Sequence, residues 1–339
     1  MLDWLLAKLQ ILLITPLAPL YSFAREGDSR FYWVYCLTGI VMAAYVYHKR
    51  EPNAPFRDML LDPNVWGSRS AQNDYWILVI TAALKFTVLS WAFLNWRPIA
   101  AWVAETLGTL GVAGTVTDGS ALAVGLALTL TLFLVDDFLR WWLHYLMHKV
   151  PELWEFHKVH HSAEVLNFTT SERIHPVEIL ITSAVIAIGA GVVNGLFVAF
   201  FGDQLTLVTV FGANAFLVAF NLAGGVLRHS PFWVSFGPAV ERWVISPAMH
   251  QIHHSDNPAH FDKNMGGSLA VWDHMFGTIH IPNGREVERF GIGPETTEFR
   301  SLATIYFRPF TASADLARQR MAGLTARLRG SARPFDAEA

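Results

Sequence analysis

Long apolar stretches separated by short polar ones set the outline of the chain. Phe31 to Tyr47, Tyr75 to Trp96, Ala121 to about Leu143, Ile179 to Phe201 and Leu205 to Gly225 run with few or no charges. Each comes near the roughly 20 residues that a bilayer-crossing helix needs. Only Gly202, Asp203 and Gln204 separate the last two, which predicts an antiparallel membrane hairpin. Leu9 to Phe23 is also apolar, but it holds Pro16 and Pro19 and has no convincing small-residue cleavage site. It reads as a membrane anchor or interfacial helix rather than a signal peptide. Arg97 to Ser120 reads as interfacial or partly re-entrant. The pattern predicts an all-α integral membrane helical bundle of about four to five spans.

Charge orients that bundle. Lys49, Arg50, Arg57 and Arg69 crowd the loop between the first two spans, and basic loops stay cytoplasmic. Counting spans forward puts Arg97 to Ser120 outside and the segments that follow Leu143 and Gly225 inside. The tail, with Arg318, Arg320, Arg327, Arg329 and Arg333, can form a helix from Asp315 to Leu328, either lying on anionic lipid or solvated. Composition agrees with a membrane protein. The 339 residues are 53% hydrophobic and 16% charged, against about 25% charged in soluble proteins. A net charge of −3 gives no footprint for nucleic acid. The single cysteine, Cys36, excludes an internal disulfide, a cysteine-rich zinc site and an iron–sulfur cluster. No dinucleotide, P-loop or haem-attachment motif occurs.

The candidate chemistry lies in histidines at helical spacing. His144 and His148 are four apart, on one helix face. Pro151 breaks that helix and suits the first turn of another, on which His157, His160 and His161 stand at i, i+3 and i+4. His250, His253 and His254 repeat the HxxHH spacing after Ser246-Pro247, an N-cap followed by proline. A lone histidine is ordinarily a surface or hydrogen-bonded core residue. Eight clustered imidazoles are different, because each buried nitrogen without a partner costs about 1–3 kcal/mol. Metal ligation removes that cost, and eight ligands suit two metals better than one tetrahedral zinc. Spacing alone does not name the metal, since imidazole suits iron, zinc and copper.

WWLHYLMHKVPELWEFHKVHHS, ISPAMHQIHHS and KNMGGSLAVWDHMFGTIH, in this order, resemble the fatty acid hydroxylase/sterol desaturase superfamily over about residues 130–285. These are integral membrane enzymes with a histidine-bound di-iron centre. The resemblance implies a lipid hydroxylase that uses two Fe and O2. The alternatives are a desaturase on the same centre and, further off, a membrane metal transporter or metal-binding protein; transporter sites usually lie near the bilayer midplane, whereas these boxes fall at the membrane edge. It also implies a separate electron donor (ferredoxin, cytochrome b5-type or reductase), because the sequence has no redox-cofactor motif. The segment Asp262 to Gly267 is similar to that of alkylglycerol monooxygenases. His229, on the cytoplasmic side in this topology, and His175, in a His-Pro step, are further candidate ligands by resemblance. His274 stands where many members have Arg and is not counted. His48, His260 and His280 read as surface residues. Two ferrous ions without anionic ligands need compensation, and Asp137, Glu164 and Asp273, with Glu172 and Asp256, are the candidate acceptors for the outer imidazole N–H. Asp137 shares the face of His144, or else pairs with Arg140. The expected organisation is an N-terminal membrane region (1–120), a catalytic domain with a membrane hairpin and a cytoplasmic histidine-rich cap (121–285), and a basic cytoplasmic tail (286–339).

Overall fold

The computed structural model describes residues 23–331, apart from 88, 90, 91, 113, 115–119, 203 and 204. The anchor expected at Leu9 to Phe23 lies outside the described residues but for its last position. The principal helices are α1 (Trp33–Arg50), α2 (Arg69–Thr87), α3 (Trp96–Thr109), α4 (Ala121–Lys149), α5 (Pro151–His161), α6 (Pro176–Phe201), α7 (Ala215–Leu222), α8 (Pro247–His253), α9 (Val271–Phe276) and α10 (Leu302–Ser331). The only β-ladder among the described residues is the antiparallel pair β1 (Thr209–Val210) and β2 (Ala213–Asn214).

Two described helices, α4 and α6, are long and apolar enough to cross a membrane. At 1.5 Å per residue they measure about 44 and 39 Å. Ser120 caps α4, its hydroxyl accepting from Ala123 N at 3.1 Å. His175 caps α6, with Pro176 in the first turn. Leu122, Leu126 and Leu130 on α4 and Ile188, Val192, Leu196 and Phe200 on α6 are exposed at a spacing of four. Such apolar stripes suit lipid better than water. α1 is two-sided in the same way. Tyr35, Gly39 and Ala43 face inward, against a cluster with Val226, Leu227 and Phe232, while Trp33, Leu37, Val41 and Tyr45 face outward.

α6 packs closely on α3 because two glycines one turn apart leave room for the backbone. A Cβ at Gly191 would lie 2.6 Å from Ile99 Cβ, and one at Gly195 would lie 2.6 Å from Ala100 O. The span expected at Leu205 to Gly225 is not a single helix. Gly212, at φ 78, turns the β1–β2 hairpin. Asn214 then caps α7, accepting from Phe216 N at 3.0 Å, and Gly224, at φ 97, ends the helical run. The eight residues of α7 reach about 12 Å, too short to cross. Hydropathy read this stretch as continuous because its glycines and asparagine are uncharged.

A buried ion pair fastens α2 to the segment bearing the histidines. Arg173 Nη1 meets Asp74 Oδ1 on α2 at 2.8 Å, with both side chains all but fully buried. Arg173 also donates to Val159 O at 2.9 Å and Ser162 Oγ at 2.9 Å. Thr170 Oγ1 donates to Asp74 at 2.7 Å. α10, longer than the tail helix expected at Asp315 to Leu328, continues through Pro309 and lies along α5.

Candidate metal centre

Four pieces of backbone converge at one end of α4 and α6. α4 carries His144 and His148 in its last turns and stops at Val150, where Pro151 opens α5. Ser246 accepts from Met249 N at 3.2 Å and Pro247 opens α8, which sets the phase of His250 and His253. A 3₁₀ turn, Gly225–His229, supplies His229.

Nine histidines from these pieces form two groups: His144, His148, His157, His161 and His253 in one, His160, His229, His250 and His254 in the other. Within each group the candidate donor atoms lie within 4.8 Å of one another. Each HxxHH box is divided between the groups, and the division follows helix geometry. On α5 the i, i+4 pair His157 and His161 enters the five-histidine group, and His160 enters the other. On α8 and its cap the i, i+4 pair His250 and His254 enters the four-histidine group, and His253 crosses to the first. Residues i and i+4 share a face, while i+3 is turned about 100° from i+4, so two helices serve two centres with mirrored allotments. His161 and His254 stack across the boundary, ring centroids 4.5 Å apart.

Hydrogen bonds on the outer ring nitrogens identify the inner ones. His144 Nδ1 lies 2.7 Å from Met265 O and His253 Nδ1 2.8 Å from Lys263 O. A carbonyl only accepts, so both Nδ1 atoms carry the proton, and a neutral ring then has a bare lone pair at Nε2. Those two Nε2 atoms are 3.0 Å apart. Protonating them does not resolve the repulsion, since burial pushes His253 down to about 3. A cation between them does. His157 Nδ1 donates to Glu178 Oε1 at 3.0 Å, and its Nε2 lies 3.2 Å from that of His161. In the second group His229 Nε2 lies 2.9, 3.1 and 3.2 Å from the Nε2 atoms of His250, His160 and His254. Burial holds all four of these rings well below the ordinary imidazole range, which is the neutral form that binds metal. Bonds of about 2.0–2.1 Å to a shared metal give nitrogen–nitrogen edges of about 3.0 Å at right angles and about 3.4 Å at tetrahedral angles. The edges here, 2.9–3.2 Å, are of the size that nitrogens sharing one metal ion make. The donor set therefore fits two metal ions.

Residues 129–278 match the fatty acid hydroxylase family. The chain is 32% identical over 175 residues to alkylglycerol monooxygenase of Danio rerio, covering 52% of this chain and 35% of that protein. It is 30% identical over 149 residues to an ornithine lipid hydroxylase of Rhizobium tropici, 44% of this chain and 40% of that one. It is 28% identical over 166 residues to a methylsterol monooxygenase of Aspergillus fumigatus, 46% and 48% respectively. The chain thus spans less than half the length of each of these relatives. No solved structure matches it.

The structure places some expected residues elsewhere. His175 joins neither group. Its Nδ1 accepts from Val177 N at 3.2 Å and its Nε2 faces Tyr306 O at 3.1 Å, so both nitrogens are occupied in capping α6 and joining it to α10. The expected carboxylates do not meet imidazoles either. Asp137 accepts from Ser268 N at 2.8 Å, Leu269 N at 3.1 Å and Trp272 Nε1 at 2.9 Å, while Arg140 pairs with Asp136. Asp273 accepts from Met265 N and Gly266 N, both at 2.8 Å, and from Trp141 Nε1 at 3.1 Å. Glu164 forms a two-pronged pair with Arg300, Glu172 meets Lys85 and Asp256 meets Arg289. Asp137 and Asp273 act one step further out, by holding the 262–269 loop that offers Lys263 O and Met265 O to the rings. Gly266 is required there, because a Cβ would lie 2.6 Å from both Ile245 Cγ1 and Leu269 O. The carboxylate that does reach a ring is Glu178, which the sequence reading missed. Its signal was an acid in the first turn of an apolar helix. Asp262, at 3.4 Å from His148 Nδ1, was missed as well. His274 is exposed and outside both groups.

Proposed function

We propose that the protein is an integral membrane lipid hydroxylase whose nine clustered histidines hold two iron ions and whose substrates are a membrane lipid and O2, with electrons from a separate donor. The observation that carries this reading is the pair of bare Nε2 lone pairs of His144 and His253 held 3.0 Å apart by outward hydrogen bonds, inside a domain whose named relatives are lipid oxygenases. His144, His148, His157, His161 and His253 would hold one metal, and His160, His229, His250 and His254 the other. Bound iron would supply O2 reduction and oxidation of an unactivated C–H bond.

The chain's own residues do the positioning. Met265 O, Lys263 O and Glu178 lock the tautomers of three rings, so those three ligands need not reorient. The histidine ends of the antiparallel α4 and α6 lie at one membrane face, so a lipid tail can approach along their apolar stripes while the buried cluster excludes water. Residues 121–285 form the catalytic unit in this reading. The basic loop at residues 48–73 assigns the histidine face to the cytoplasm. A cysteine at the exposed Phe261, in a Cys36→Ser background, should be labelled by an impermeant thiol reagent from the cytoplasmic side alone.

The deciding test is a comparison of lipids from a host with and without the gene. A lipid class that gains one oxygen atom per molecule, and does not in a His157→Ala host, supports hydroxylation. Loss of two hydrogens instead would make the enzyme a desaturase, and an unchanged lipid pool would refute the reading.

A further inference from the structure

Away from the nine histidines, His260, His280 and Glu286 bring three further donor atoms within 4.8 Å of one another. Glu286 Oε2 lies 2.8 Å from His280 Nε2 and 3.5 Å from His260 Nε2. Both histidines are expected at the surface from the sequence, yet His260 is 4% exposed. Its Nδ1 has no hydrogen-bond partner among the described residues. Its Nε2 faces the Glu286 carboxylate at 3.5 Å, a long and therefore weak contact. Buried polar groups are ordinarily satisfied, so this ring lacks the partner that its burial calls for.

We propose that His260, His280 and Glu286 form a third metal site, which takes one divalent cation of the zinc type. Two imidazoles and a carboxylate are an established donor set for such ions, with water in the remaining position. Edges of 2.8 and 3.5 Å bracket those that metal bonds of about 2.0–2.1 Å produce. The partial exposure of His280 and Glu286, 31% and 23% of their side chains, leaves the outer face open to that water. A cation there gives His260 Nε2 a full partner.

The position of the site suggests what it does. His260 closes the short turn Pro258–His260. Four residues on, Asn264 clasps His280, donating to its carbonyl at 2.9 Å and accepting from its N–H at 2.7 Å. Between them Lys263 presents the carbonyl that fixes His253. The third cation thus pins both ends of the loop that sets a ring of the five-histidine group, without touching that group.

The test is a metal count on the purified full-length protein saturated with Zn2+ and desalted. Wild type should carry one zinc per chain more than Glu286→Gln or His280→Asn. Zinc retained by the nine histidines in these variants reports that they are folded. Because the result is a difference of one, it holds whatever the nine histidines bind. Equal zinc in wild type and variants would overturn the proposal. If the variants do not fold, diethyl pyrocarbonate decides on wild type alone. Zn2+ should abolish carbethoxylation of the half-exposed His280, and unchanged modification at saturating Zn2+ would overturn the site.

Discussion

The two histidine groups differ less in their inner nitrogens than in what stands behind them. In the five-histidine group Met265 O, Lys263 O and Glu178 hold the outer N–H of three rings, and Asp262 stands beside a fourth. In the four-histidine group the outer nitrogens of His160, His250 and His254 are buried without a well-formed hydrogen bond. Three of the five rings in the first group are fixed in tautomer and orientation before a metal arrives. In the second, three of the four rings lack such a bond, so less fixes their tautomer. Two centres built from the same boxes therefore have unequal rigidity, and metal affinity should follow it.

The largest expected effect comes from removing a ligand. His157→Ala and His250→Ala should each abolish activity. His250→Ala should lose the metal of its group outright, whereas His157→Ala, with four rings remaining, should retain part of its own; iron per chain measured on both variants separates the two groups. His229→Ala should behave like His250→Ala, and equal iron in His229→Ala and wild type would remove that residue from the site. Next comes the ion pair behind both groups. Asp74→Ala leaves the Arg173 guanidinium buried and uncompensated, which should cost about 3–5 kcal/mol, read as a lower unfolding midpoint of the purified protein in detergent.

Glu178→Gln sharpens the comparison. It should weaken metal binding about 10–100-fold in the five-histidine group and leave the other unchanged, as seen by competition with a chelator. Chelation of wild type should then remove metal in two steps, the four-histidine group emptying first. Loss of both metals in one step would mean that the outer hydrogen bonds do not set the order. The smallest effect belongs to His274→Arg, which should keep both metals and most activity, since the side chain is exposed and lies outside both groups.

The histidine boxes were legible because their signal is local: spacing on a helix decides which rings share a face, and Pro151 and Pro247 mark where each helix starts. The resemblance to the fatty acid hydroxylase family could be read from the same short segments. What stands behind the rings was not legible. Asp137 and Asp273 were singled out for being acids near ligands, but their partners are backbone amides of a loop more than 130 residues away from Asp137, or folded back beside Asp273. Glu178 reaches His157 only because α6 returns to α5, which no spacing reveals. The stretch from Leu205 to Gly225 misled for a simpler reason. Hydropathy averages over a window, and a two-residue β-hairpin closed by one glycine disappears in that average. His175 had the right residue type in the right place along the chain, but both its nitrogens were already used.

α4 is one unbroken rod of about 44 Å, and a hydrocarbon core is about 30 Å thick. If α4 crosses such a core upright, roughly 14 Å, or about nine residues, stands clear of it, and in the proposed reading His144 and His148, in the last turns of α4, lie on that part. In that reading the height of the metal sites above the hydrocarbon is a mechanical property of the membrane as well as of the protein. A thicker bilayer swallows more of the rod and a thinner one tilts it. Which carbon along a tail comes within reach should accordingly shift with the thickness of the bilayer around the enzyme, so that membrane composition becomes part of its selectivity.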